Sequence, residues 1–192
     1  MQNWLVAHWV ACAQVGGILL LLLAPLLGLV WTTALLLVFL QLPVYMLHQV
    51  EEHTGDRFRR FINQEVFGGK EALNPASILW INIPGVWGIN LVSLYAATLA
   101  GIGWGLIGIY MTLVNGLVHI LGALRKGYNP GLWTAIALFV PIGGYAWHAV
   151  SVSPGVTSLH HGAGLASAIV LHAAIVGYAK TSAGRPGAPP DL

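Results

Sequence analysis

The sequence predicts an all-α membrane protein, a polytopic bundle of six transmembrane helices with both termini on the cytoplasmic side. Composition is the first reason. Hydrophobic residues make up 57% of the 192-residue chain and charged residues only 7%, with a mean hydropathy of +0.76. Soluble domains carry about 25% charged residues, so a water-filled surface would have too few charges to cover it. Segment length is the second reason: a spanning helix needs roughly 20 mostly apolar residues. The third is charge placement, since all eight Lys and Arg fall on one side of a six-span arrangement.

The spans read in order as residues 4–23, 29–50, 78–100, 101–124, 132–150 and 159–179. The first has no basic leading region and another span follows closely, so it reads as a retained helix rather than a cleaved signal. Ala24-Pro25 and Gly28 break the first long apolar run, because proline removes a backbone donor and crowds the preceding turn. Gly101-Ile102-Gly103-Trp104-Gly105 turns the chain between spans three and four. Asn129-Pro130-Gly131 and Ser153-Pro154-Gly155 end the next two connections.

Arg57, Arg59, Arg60 and Lys70 lie between spans two and three, Arg125 and Lys126 between spans four and five, and Lys180 and Arg185 after span six. The positive-inside rule makes that side the cytoplasm. Merging the first two spans would put basic loops on both sides, so six is preferred to five. The domain expectation is one six-helix unit over residues 1–181, with a polar cytoplasmic loop at 54–77 and a disordered Gly/Pro-rich tail at 182–192. Net charge is +2 and Cys12 is the single cysteine. Nucleic acid is therefore not an expected partner, and an internal disulfide is excluded.

An ionisable group in hydrocarbon costs about 2.5–3.5 kcal/mol, so each intramembrane one is a candidate for function. The polar run His48-Gln49-Val50-Glu51-Glu52-His53 ends span two. His119 in span four, His172 in span six and His8 in span one fall at the same inner depth. His148, His160 and His161 fall at the outer ends of spans five and six. At about 100° per residue, His48, Glu51 and Glu52 share one sector of the helix, while His53 points elsewhere. Asn115 and His119, four apart, share a face of span four. His161 and His172 lie about 16 Å apart along span six and cannot serve one ion.

The expected site is a metal centre with His48, Glu51, Glu52, His119 and His172 as ligands. His48, Glu51 and Glu52 are its catalytic groups, with Asn115, His53 and His8 around it. Mixed imidazole and carboxylate donors suit iron or zinc, as one or two ions, better than magnesium or calcium. A solvated helix-end cap, with Glu51 and Glu52 pairing to Arg57, is the plainer alternative for the same residues. Asn82 and Asn90 of span three read as contacts between helices.

At these residues the chain resembles the family of bacterial membrane proteins defined by an HXXEE motif, here His48-Gln49-Val50-Glu51-Glu52. The downstream Asn115-Gly116-Leu117-Val118-His119, followed by a basic-aromatic turn with Tyr128 and Pro130, fits the same resemblance from about Pro43 to Ala135. The resemblance implies a site without naming its reaction. Eight histidines are also similar in number to those of membrane di-iron desaturases and hydroxylases. Leu159-His160-His161, however, has no histidine three or four residues before the pair. His48 and Glu52 are also faintly similar to the acid-base pairs of small sterol isomerases.

The function expected from these readings is a metal-dependent membrane enzyme acting on a lipid or other hydrophobic small molecule in the cytoplasmic half of the bilayer. Di-iron-like oxidation or hydroxylation is slightly preferred to zinc hydrolysis. The alternatives are a proton- or cation-coupled transporter, a metal-free Glu/His acid-base isomerase, and a structural subunit of a membrane complex. Homo-oligomerisation is left open.

Overall fold

A computed structural model describes residues 2–184, with side chains from Trp4 onward. The described residues are helical and contain no strand. Six helices are long and apolar enough to cross a membrane. They are α1 (Gln2–Leu27), α2 (Thr33–His53), α4 (Pro75–Leu99), α5 (Ile102–Lys126), α6 (Leu132–Ser151) and α7 (Ser158–Ala183), with a short α3 (Arg57–Phe61) after α2.

The structure bears on two of the expected boundaries. The 54–77 segment, expected as a polar loop, carries helical structure in α3 and a π turn (Ile62–Val66), and α4 begins at Pro75. Asn74 caps α4 by accepting from the Ser77 amide at 2.8 Å, with Pro75 in the first position, where a missing N–H costs nothing. Ser182 and Ala183, expected in the tail, belong to α7. Residues 185–192 lie outside the described part.

The remaining interruptions have local causes. Gly28 follows the end of α1, and Pro25 is accommodated in its last turn. Pro84 and Pro141 each lie in a π turn, Ile81–Trp87 of α4 and Ala135–Gly143 of α6. A proline cannot donate to the helical ladder, and a wider turn re-satisfies the freed carbonyls inside the membrane.

Helix α2 is the axis of the bundle. The most apolar window of its span is 61% buried, against 11% for α1. It packs against α1, α4, α5 and α6, whereas α7 packs mainly along α5. Close approach depends on small residues, as in membrane helix pairs generally. Gly17 of α1 sits on Pro43 and Met46 of α2, Gly105 sits on Val38, and Gly164 of α7 faces the Leu106 carbonyl. Buried polar residues then concentrate on α2: Gln41, His48, Gln49, Glu52 and His53 are all nearly or fully enclosed. Gln49 joins Asn82 of α4 at 2.8 Å and accepts from the Trp87 indole at 2.6 Å, so Asn82 does link helices. Asn90 bonds the Val86 carbonyl of its own helix instead.

Candidate metal centre

Three ligand-type side chains meet at one point. His48 and Glu52, one helical turn apart on α2, share a face, and His119 approaches from α5. Glu52 Oε1 lies 3.5 Å from His48 Nε2 and 3.1 Å from His119 Nε2. All three ligand atoms fall within 4.8 Å of one another, and all three residues are buried. Metal bonds of about 2.0–2.1 Å in a tetrahedron separate neighbouring ligand atoms by roughly 3.4 Å. Both measured edges match that spacing.

The other ring nitrogens are held from behind. His119 Nδ1 is 2.6 Å from Asn129 Oδ1, and Asn129 Nδ2 donates to the His119 carbonyl at 2.9 Å. That second bond sets the amide orientation, so Oδ1 faces the ring and Nδ1 must carry the proton. His48 Nδ1 is 2.8 Å from the Thr134 hydroxyl. Its Nε2 is fully buried and has no hydrogen-bond partner, its 3.5 Å separation from Glu52 being too long for one.

Gly131 closes the site. Its φ of +102° favours glycine, and a Cβ there would lie 2.7 Å from Cε1 of both His48 and His119 and 2.9 Å from Glu52 Cγ. The Asn129-Pro130-Gly131 turn is therefore pressed against the ligands, not merely a link between spans. Phe139 of α6 covers the His48 ring with centroids 4.2 Å apart, and Phe58 of α3 lies 6.3 Å from His119.

The remaining expected residues divide. Glu51, expected as a ligand, is occupied elsewhere. It accepts from the Trp133 and Thr134 amides at 3.2 and 2.7 Å, from the Thr134 hydroxyl at 2.6 Å and from Tyr128 at 3.3 Å. It thereby caps the positive N-terminus of α6. Burial and the Glu51 carboxylate hold the Tyr128 phenol above its usual range, which keeps it a donor. His53, expected to face away, instead brings Nε2 to 3.4 Å from Glu52 Oε2. Its φ of −108° departs from helical geometry at the end of α2, and Trp9 packs on its ring at 4.9 Å.

His172 stays outside the group of three, with Nδ1 turned to the Ala168 carbonyl at 2.8 Å. His8 is exposed and bonds the Trp4 carbonyl, so it does not join the site. Asn115 donates to the Tyr45 hydroxyl at 2.6 Å, and Tyr45 lies edge-on to His48. Sequence alone did not single out Thr134 and Phe139, and gave Asn129 and Gly131 only as turn formers. The one available signal was the polar Asn-Pro-Gly turn falling at the depth of His119.

These features define a class: a helical, membrane-type protein with a buried two-histidine, one-carboxylate cluster that could hold a metal ion. The family described as proteins of unknown function with an HXXEE motif matches residues 39–146, more than half of the chain, and the chain belongs to that family. The matched region contains His48, Glu51, Glu52, His119, Asn129, Gly131 and Thr134. No curated protein and no solved structure matches the chain significantly.

Proposed function

We propose that the protein is a metal-dependent membrane enzyme, with His48, Glu52 and His119 as ligands of a first-row transition metal, acting on a lipid or other hydrophobic molecule. The observation that carries this reading is the convergence of electron-rich atoms. Asn129 keeps the His119 proton on Nδ1, and the buried Nε2 of His48 has no partner. Two imidazole Nε2 atoms and a carboxylate oxygen therefore crowd one enclosed point that a cation would satisfy. Outward-facing Nδ1 atoms held by hydrogen bonds are also the usual support for metal-binding histidines.

Two histidines and one carboxylate leave coordination positions open. That donor set serves iron in oxygen-activating enzymes and zinc in hydrolases. Iron-dependent oxidation or hydroxylation is preferred, with His53 in contact with the far oxygen of Glu52. A hydrophobic substrate is supported by an open, mostly apolar groove of about 520 Å³ between α4 and α7. Trp80, Ile81, Leu171 and Ala174 line it, and Leu171 also packs against the Tyr45–Phe139 cluster beside His48. With the basic loops assigned to the cytoplasm, the centre lies in the inner half of the bilayer.

Transport is less well supported. Toward the opposite end, Gln41, Asn90 and Thr112 each donate to a carbonyl of their own helix, leaving Gln41 Oε1 and Asn90 Oδ1 without partners. These groups do not join into a relay. The metal-free acid-base reading draws on the same 3.1 Å His119–Glu52 contact. Elemental analysis of detergent-purified protein separates the two readings. About one iron or zinc per chain is expected; a wild-type protein that binds neither, even after reconstitution, rejects the metal centre.

A further inference from the structure

The two adjacent glutamates of the motif have separate surroundings, and one of them reaches the cluster only through an intermediary. We propose that Glu51 is a positioning residue: through the Thr134 hydroxyl it keeps the His48 proton on Nδ1 and so turns the Nε2 lone pair toward Glu52 and His119. The purpose of this relay rests on the metal-centre reading, but its existence does not.

The argument is a count of protons. Thr134 Oγ1 has one hydrogen and lies 2.6 Å from Glu51 Oε2, 3.2 Å from the Gly131 carbonyl and 2.8 Å from His48 Nδ1. Glu51 and the carbonyl can only accept. An unprotonated contact of 2.6 Å between the hydroxyl and a carboxylate oxygen would be repulsive, so the hydroxyl hydrogen belongs there. The Trp133 and Thr134 amides hold that carboxylate in place. The remaining lone pairs of Oγ1 face His48, and Nδ1 must donate to them. Its hydrogen placed, the neutral ring carries its lone pair on Nε2, inside the cluster. On His119 the Asn129 amide likewise fixes a hydrogen on Nδ1. Glu51 is thus excluded from the ligand set by its own partners and still governs a ligand.

The test is nitrogen NMR of ¹⁵N-histidine-labelled, metal-free protein in detergent, with the His48 signal identified by its loss in His48→Gln. Wild type is expected to show a neutral ring protonated on Nδ1. Thr134→Val removes the acceptor, and the proton should move to Nε2, where Glu52 can accept it. Glu51→Leu should shift the proton in the same direction, because it removes the carboxylate that holds the hydroxyl hydrogen and frees that hydrogen to turn toward Nδ1. Thr134→Ser should retain the wild-type signal and also controls for folding. In parallel, zinc affinity should fall about 10–100-fold in Thr134→Val and stay near wild type in Thr134→Ser. A wild-type His48 protonated on Nε2, or on both nitrogens, overturns the relay. So does an unchanged signal in both Thr134→Val and Glu51→Leu. Wild-type protein that takes up no zinc counts against the metal centre alone, and the NMR pattern still decides the relay.

Discussion

The two ends of the bundle both carry histidines, and only one end assembles them. At the basic end, His48 and His119 present Nε2 to Glu52, with the backs of their rings tied to Thr134 and Asn129. At the opposite end, His161 bonds the Tyr110 hydroxyl at 3.0 Å, and His160 turns Nδ1 to the Thr157 hydroxyl and amide at the start of α7. The difference is the carboxylate. Five of the six acidic residues fall between Glu51 and Glu71, and none lies near His148, His160 or His161 in the sequence. Histidines next to hydroxyls form ordinary hydrogen bonds with them. The basic end adds a buried carboxylate 3.1 and 3.5 Å from two imidazoles and leaves His48 Nε2 without a hydrogen-bond partner, and that arrangement makes it the candidate site.

The comparison breaks most sharply on the ligands. Glu52→Gln and His119→Ala are each expected to reduce bound metal to background in elemental analysis, while His161→Ala should leave the content unchanged. Equal losses from all three would remove the distinction between the ends.

The glycines offer a second contrast. Gly131→Ala puts a methyl group 2.7 Å from two ligand rings at a φ of +102°. The expected cost is about 1–3 kcal/mol in thermal or denaturant unfolding, with weakened metal uptake. Gly103→Ala meets the His160 ring at 2.6 Å, but its φ is not in the left-handed range and His160 is only half-buried. That ring can swing aside, so a smaller loss of stability and unchanged metal content are expected.

Asn129→Ala, read by metal titration, should weaken binding about 10–100-fold, since the proton on His119 Nδ1 loses its acceptor. The smallest effect belongs to the far end. His161→Phe deletes one bond to Tyr110, and about 0.6 kcal/mol is the average for such contacts in membranes. Chemical denaturation in mixed micelles would measure it. A loss several times larger would show that the far-end network is more than local packing.

The six spans were legible because bilayer thickness and backbone satisfaction leave few ways to arrange such an apolar chain. The His48–Glu52 pairing was legible for a similar reason: a spacing of four residues on a helix has one geometric meaning. Helical phase also placed Glu51 in the same sector, and there it misled. Phase sets the direction of Cβ, but the Thr134 hydroxyl and two amides, more than 80 residues away in the chain, decided where the carboxylate went. His53 failed in the opposite sense, because the helix was already ending at that residue and Trp9 packs on its ring.

The sequence by itself determined six helices long and apolar enough to cross a membrane and the face shared by His48 and Glu52, both consequences of local periodicity and hydrophobic length. Tertiary structure alone decided which glutamate meets the histidines, that the Asn129–Gly131 turn closes over them, and that Thr134 stands between Glu51 and His48. Those outcomes depend on hydrogen bonds and contacts between segments distant in the chain, which no period in the sequence encodes.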